Sequence, residues 1–518
     1  MSFRFGLLAS LAFTLICFIG IIPARAQNTA VANYYTHPAA VDLWLSGGRP
    51  TADARKAVSL LQDSWKHGLN PNNYNAASLA SFVEQGGDAS AFEKQLTASV
   101  IRYVRDLLGP RINPASIGLD SGSWLKTPND GDVLRQLVKT SDRASIMERI
   151  APKGVLYRAM QRELEDQVNK LGSNNFQTVP YVGTLRAGDV NASISRLRER
   201  LNVPAGMADD PNYFDARLVS ALKSFQSSHG LRPDGVLGVR TIRALNASPQ
   251  TRIEQLIANL EWMRWLDPAR PSKAIVVNIP AQQLVAIEND RIVKEMSVVV
   301  GRPDRATPAF VTNVVGVRFN PNWTVPPTIS REDYLPGLQR DPAYLLKKGI
   351  NMQRVNTDGT VSSLAPETID WSRMTAADLS SIRMVQAPGV NNALGQIRLL
   401  MPNRYQVYLH DTNAPALFGR EGRWLSSGCV RMEDPKFIAM FVLEKNSGFT
   451  AQRMDEILAT GKTREVTAAQ PVPIFLLYHT IWQGKGGNLV YGEDIYDLDQ
   501  KLIKALGDAN KIPRFIRS

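Results

Sequence analysis

Three short runs rich in β-branched residues lie close together in the second half of the chain. They are Ala274-Ile275-Val276-Val277-Asn278-Ile279, Leu284-Val285-Ala286-Ile287 and Ser297-Val298-Val299-Val300, punctuated by Pro280, Asn289-Asp290 and Gly301. β-branched side chains pack well on a pleated surface, and the punctuating residues supply turns, so this region reads as an all-β core. The chain before it follows a different period. Leu156, Met160, Leu164, Val168 and Leu171 recur at helical spacing, with Gly172 placed as a C-cap. An earlier stretch through Ala57, Leu61 and Trp65 reads as a helix ending in a turn near Gly68 and Pro71, and Leu256, Leu260, Trp262 and Trp265 mark another helix. His37 and His67 read as ordinary surface or loop histidines.

The 518 residues, 44% hydrophobic and 21% charged, describe a globular protein with length for about three domains. Residues 1–26 carry Arg4, an apolar run, Pro23 and then Ala24-Arg25-Ala26, which reads as a secretion signal cut before Gln27. The alternative is an uncleaved anchor helix, for which the run is near the short end. Cys17 does not read as a lipidation site, because Ile16 is too large for such processing and the apolar run continues past it. Cleavage removes two arginines and no acids, taking the net charge from +12 to +10. That charge favours anionic polymers, but no zinc-finger, RNP or helix-turn-helix signature supports nucleic acid.

Removing the signal leaves one thiol, Cys429. An unpaired cysteine in an exported chain is an intermolecular crosslink or a reactive thiol. A thiol attacks as its thiolate and is usually activated by a histidine within hydrogen-bond reach. His410, 19 residues upstream, ends the alternation Val407, Leu409 and is the candidate base. In Ser426-Ser427-Gly428-Cys429, the pair Ser427-Gly428 permits a tight turn, and the backbone N–H groups of Gly428 and Cys429 are candidate oxyanion donors. The bland alternative is a buried structural cysteine beside a core histidine. Five scattered histidines and no partner cysteine supply no metal-ligand cluster and no cofactor site.

This stretch resembles the catalytic motif of the L,D-transpeptidases, the YkuD-type domain: a histidine, a loop, then Ser-x-Gly-Cys and a following Arg or Asn. Most members carry a second histidine where Ser427 stands, and the serine resembles the large YcbB-like branch. Asn278-Ile279-Pro280-Ala281, Val300-Gly301-Arg302-Pro303-Asp304 with Thr307-Pro308, the run from Asn320 through Trp323 to Pro326, and Pro388-Gly389 with Asn392-Ala393-Leu394-Gly395 resemble that branch in matching order. Between 185 and 245, apolar spacing through Ile194, Leu197 and Leu201, then Leu218, Leu222 and Phe225, gives a small three-helix unit. Phe225-Gln226, Gly230-Leu231, Asp234-Gly235, Gly238 and Thr241 resemble a peptidoglycan-binding repeat, with Gly235 and Gly238 as turn residues and Thr241 as an N-cap.

The fold expected is multidomain α+β. A signal occupies 1–26, a helical scaffold 27–180, the peptidoglycan-binding-like unit 181–250, a β-rich catalytic domain 251–466, and an extension closing it 467–518. Within the catalytic domain an insertion at about 327–387 breaks the β pattern. Residues 331–349 read as helical and charged, the rest as loop up to Trp371, and the resemblance implies a lid. Asp434 caps a helix with Pro435 at its first position. His479 reads as structural.

The resemblance implies an exported, periplasmic enzyme. Cys429 attacks a tetrapeptide stem, releases D-alanine and holds the stem as a thioester, and His410 acts as base and acid. A diaminopimelate amine then completes a 3→3 crosslink. Arg431, Ser427, Trp323 and Tyr408 are candidate substrate contacts, with packing favoured for Tyr408. The partners implied are peptidoglycan stem peptides and glycan, possible wall-synthesis proteins, no nucleic acid, and the membrane only through an uncleaved signal. Two rivals stay open: a wall hydrolase and a catalytically silent wall-binding scaffold.

Overall fold

The computed structural model describes residues 29–171, 176–205, 210–267, 269, 271–356 and 358–507. The signal reading, Cys17 and the Gly172 cap lie outside the described residues. The N-terminal part is helical: α1 (Thr29–Thr36), a hairpin of β1 (Leu45–Ser46) and β2 (Arg49–Pro50), α2 (Ala52–Gln62), α3 (Ala76–Gln85), α4 (Ala89–Leu107), α5 (Asp130–Lys139), α6 (Arg143–Ile150) and α7 (Val155–Lys170). Apolar residues at helical spacing on α7, namely Met160, Leu164 and Val168, are buried against α11 (Pro249–Arg264), as their period requires. Among the described residues no helix is long and apolar enough to cross a membrane.

Between α7 and α11 sit α8 (Ala192–Leu201), α9 (Ala216–Ser228) and α10 (Val239–Leu245), which share one small core. Gly235 takes φ of +75°, as its turn demands. Thr241 is not an N-cap: Gly238 caps α10, and Thr241 is buried one turn inside, accepting from Gln226 Nε2 at 3.2 Å. Gln226 also donates to Asp234 and accepts from the Gly235 N–H, so these polar residues hold the unit together from within. Arg240 joins the unit to the next domain through Glu421 and Glu493.

The predicted β runs form β3 (Lys273–Asn278), β4 (Gln283–Glu288) and β5 (Arg291–Gly301), followed by β6 (Phe310–Phe319) and β7 (Trp323–Thr324). The insertion contains α12 (Pro327–Ile329), α13 (Leu335–Leu338), β8 (Ile350–Val355), β9 (Val361–Leu364) and β10 (Ile382–Gln386). Then come β11 (Ile397–Leu400), β12 (Leu409–His410), β13 (Trp424–Ser426), β14 (Val430–Met432), α14 (Pro435–Leu443), α15 (Ala451–Ala459), β15 (Arg464–Leu477), β16 (Ile481–Gln483), β17 (Leu489–Tyr491) and α16 (Leu498–Leu506). The main sheet runs β13-β5-β14-β12-β11-β6-β15-β3-β4, and β4 pairs again with β5. The long β5 makes this closure by pairing β4 through residues 291–297 and β14 through 298–299. β15 spans position 467, with an irregularity in its pairing to β6 between Thr467 and Val472, and carries the chain to Leu477 in the main sheet, whereas β16 and β17 pair separately.

The insertion is more ordered than its sequence suggests. Residues read as loop form strands of a four-stranded antiparallel sheet, β7-β10-β8-β9, with its own core around Leu338, Ile350, Trp371 and Met384. Its strands pair with each other, a long-range match that local composition does not encode. Asp434 does cap α14, accepting from the Phe437 N–H at 3.1 Å with Pro435 at the first turn.

The helices α7 and α11 and the segment after α4 meet at a buried charge cluster. Glu261 on α11 accepts from the Arg111 N–H and Nε at 3.0 and 2.7 Å, from Arg264 Nη2 and from Trp265 Nε1. Arg264 continues to the His67 carbonyl and the Tyr157 hydroxyl. His67 is therefore no surface residue: its ring packs against Tyr157 and Tyr103, and burial pushes it down to about 3.

Candidate active site

Strand pairing brings the motif residues together. β12 lies parallel to β14 with Leu409 opposite Val430 and His410 opposite Arg431, and the Val430 N–H donates to the Tyr408 carbonyl at 3.0 Å. Cys429 is the residue just before β14, half-buried and free. His410 is only 4% exposed, and its Nδ1 lies 2.5 Å from the Asp411 carbonyl. A carbonyl can only accept, so Nδ1 carries the proton and Nε2 is left as the basic nitrogen. Asp411 is itself fixed: its N–H donates to the Ile397 carbonyl at 2.8 Å, and its carboxylate accepts from the N–H groups of Gln396 and Thr412.

Burial dominates the protonation states. It pushes the Cys429 thiol up, while the Tyr408 backbone N–H, Arg398 and Arg431 favour the thiolate. It pushes His410 down to about 3, and Arg431 and Arg398 act in the same direction. The resting pair is therefore a neutral thiol and a neutral imidazole. The chemistry open to it is proton transfer to Nε2 as the sulfur attacks, rather than use of a preformed ion pair.

A hydrogen-bond relay shapes the nucleophile loop. Gly428 has φ of +111°, a backbone conformation that favours glycine. Its N–H donates to Ser426 Oγ at 3.2 Å, and that hydroxyl donates to the Cys429 carbonyl at 2.5 Å. Thr307 Oγ1 donates to the Gly428 carbonyl and accepts from the Gly301 N–H, both at 2.8 Å, and the Tyr496 hydroxyl donates to the Gly301 carbonyl at 2.6 Å. The Gly428 N–H, a candidate oxyanion donor, is thus engaged by Ser426 within the loop. The Cys429 N–H makes no hydrogen bond among the described residues and is the donor left for an oxyanion.

The other candidates divide. Ser427 faces Arg305, whose Nη1 donates to its hydroxyl at 3.1 Å. Tyr408 carries the Arg398 guanidinium 3.8 Å over its ring, which is packing with an electrostatic purpose. Trp323 lies on β7 at the root of the insertion, edge-on to Tyr334. Arg431 follows Cys429 by two residues on β14, and its charge favours the thiolate. Sequence reasoning missed Arg398, Arg305, Ser426, Thr307 and Tyr496 as site residues. Thr307 lay within a recognised phrase, whereas Arg398 in the run Ile397-Arg398-Leu399-Leu400 gives no local sign that it stands opposite His410.

A closed β-sheet domain that carries a buried imidazole on one strand and a free thiol at the start of its parallel neighbour defines a class of cysteine-histidine site. Residues 272–467 match the YkuD family, the L,D-transpeptidase catalytic domain, residues 29–164 match a scaffold domain, and residues 192–245 match a "Putative peptidoglycan binding domain". Three segments of the chain thus match, in order, a scaffold domain, a peptidoglycan-binding domain and the YkuD-type L,D-transpeptidase catalytic domain. A Haemophilus influenzae protein named "Putative L,D-transpeptidase" is 36% identical over 228 residues, 44% of this chain and 45% of that protein. The chain thus spans less than half the length of that curated relative. Solved L,D-transpeptidases from Xylanimonas cellulosilytica (13% identity, 57% of this chain and 98% of that one, TM-score 0.19) and Stackebrandtia nassauensis (12%, 58% and 97%, TM-score 0.22) align too loosely to carry an argument.

Proposed function

We propose that this protein is an exported L,D-transpeptidase that forms 3→3 crosslinks in peptidoglycan. Cys429 Sγ attacks the carbonyl on the L-centre side of the amide that precedes the terminal D-alanine of a tetrapeptide stem, as its proton moves to His410 Nε2. The tetrahedral intermediate collapses with C–N cleavage, the proton passes from Nε2 to the departing nitrogen, D-alanine leaves, and the acyl group stays as a thioester on Cys429. His410 then takes a proton from the side-chain amine of a diaminopimelate in a second stem, and that amine displaces the sulfur. The insertion, a lid in this reading, limits water and so favours the amine over hydrolysis.

The observation that carries this reading is the pinned tautomer of His410, whose Nδ1 is bound to the Asp411 carbonyl while Arg431, two residues beyond Cys429, stands directly opposite it. The catalytic and peptidoglycan-binding domain matches support the choice of substrate. The signal-like residues 1–26 support export to the periplasm.

Intact-protein mass spectrometry after incubation with tetrapeptide muropeptides tests the reading. A stem adduct on the wild type, absent from Cys429→Ala, together with dimers joined 3→3, is expected. Tripeptide products without dimers would make the protein a hydrolase. Sacculus binding without any adduct would make it a binding scaffold.

A further inference from the structure

Five charged or titratable residues stand in one row across the sheet. Glu465 on β15 is opposite Arg318 on β6, Arg318 opposite Arg398 on β11, Arg398 opposite His410 on β12, and His410 opposite Arg431 on β14. Residues directly opposite one another project from the same face and interact. Arg318 has its carboxylate, because Glu465 pairs with it. Arg398 and Arg431 have none: among the described residues neither makes an ion pair, and the Nε of each is buried without a hydrogen-bond partner. Tyr408 supports the Arg398 guanidinium from below but satisfies none of its N–H groups.

Such an arrangement is costly in isolation. Like charges in neighbouring cross-strand positions repel, and a buried donor without a partner loses its hydration for nothing. What it lacks is anionic oxygen. Arg431 lies two residues beyond Cys429 and Arg398 stands across His410 from Arg431, so a carboxylate held by both guanidinia lies near the nucleophile. The planar fork of arginine is matched by a carboxylate, which can take two parallel N–H bonds.

We propose that Arg398 and Arg431, one on each side of His410, form a two-guanidinium recognition site for a peptide bearing free carboxylates next to the amide that Cys429 attacks. Assigning that peptide to a stem rests on the function proposed above. On such a stem the carboxylates are the C-terminal one of the departing residue and the side-chain one of the diamino diacid whose carbonyl is attacked. The site selects donors in which both are ionised and rejects amidated ones. Binding has a second effect. The carboxylates neutralise the two cations that disfavour imidazolium, so His410 becomes a better base when the correct donor arrives.

The test uses two alkylating probes of similar size and opposite merit, iodoacetate and iodoacetamide, with the Cys429 adduct read by mass spectrometry. The ratio of the two rates measures carboxylate attraction at the thiol without requiring transpeptidation. In Arg398→Gln and in Arg431→Gln the ratio is expected to fall on the order of tenfold, mostly through the iodoacetate rate, as loss of a charged hydrogen-bond partner implies. Iodoacetamide feels only the change in thiolate population and is the internal reference, and its continued reaction at Cys429 shows that the site is still folded. Arg318→Gln, whose arginine is already matched by Glu465, leaves the ratio unchanged. With disaccharide tetrapeptide as donor, amidation of the diacid carboxylate slows acylation of the wild type by a similar factor and has little further effect in Arg431→Gln or Arg398→Gln. Equal response of both probes to the substitutions, or an equal effect of Arg318→Gln, overturns the proposal. If the probe ratio behaves as stated but no muropeptide acylates the wild type, the carboxylate site stands and the assignment of its donor falls.

Discussion

Arg305 grips Asp333 with both ends of its guanidinium, Nη1 to Oδ2 at 2.7 Å and Nη2 to Oδ1 at 2.9 Å. Nη1 also donates to Ser427 Oγ, and Arg305 keeps only 8% of its side-chain exposure. One side chain therefore ties the insertion, through Asp333 and Glu332, to the loop that presents Cys429. Bidentate pairs of this kind fix geometry as well as adding energy.

Arg305→Ala is expected to release both partners. Acylation of Cys429 should slow by on the order of 10-fold or more, since small displacements of a nucleophile are expensive in rate. Limited proteolysis within 327–387 should speed up in the same variant. Asp333→Asn should show the proteolytic change with a smaller loss of rate, because Glu332 still holds Arg305. Unchanged acylation together with faster cleavage would show that the insertion and the nucleophile loop are not coupled.

His410→Ala should lower the acylation rate by about 10²–10⁴-fold while changing donor affinity little, the usual effect of removing a positioned base. Adding Ser427→His should not restore it. The side chain at 427 points to Arg305, so an imidazole placed there meets a cation and not the sulfur. Single-turnover kinetics followed by mass spectrometry make the comparison. Recovery of most of the rate would show that the loop can turn position 427 toward Cys429.

The protonation states give a pH signature. Burial holds the Cys429 thiol above its ordinary value and His410 near 3, so a thiolate–imidazolium pair is not populated at rest. Alkylation by neutral iodoacetamide, which needs the thiolate, should rise about tenfold per pH unit between pH 6 and 8.5. It should show no inflection at the usual histidine range near 6.5. A plateau across neutral pH would mean the ion pair is preformed.

Glu261 predicts where the protein fails in acid. Burial alone would raise its carboxyl, but Arg111 and Arg264 outweigh burial and bring it down to about 2, against 4.5 for the free side chain. A carboxyl depressed by folding contributes stability above the unfolded value, and that stability is lost as pH falls from about 4.5 toward 2. Glu261→Gln should cost on the order of 3–5 kcal/mol at neutral pH, because two buried arginines lose their anion. Denaturant unfolding at pH 7 and at pH 3 checks both points: the difference between variant and wild type should shrink at the lower pH.

The β character of 274–300 and the helical period of α7 were legible in the sequence. So was the cap formed by Asp434 and Pro435. Each is written in residues a few positions apart, where turn chemistry, side-chain period and a short motif act within one element. Tertiary structure alone decided that Gly428 turns its N–H into the loop, that His67 packs half-buried against Tyr157, and that the insertion folds into its own sheet. It alone decided the row from Glu465 to Arg431 as well. Arg318 meets Glu465, and Arg398 meets His410, only through the register of strands that are distant in sequence. An arginine's partner, or its lack of one, is set by that register. Local sequence holds the charge but carries no record of what will stand opposite it.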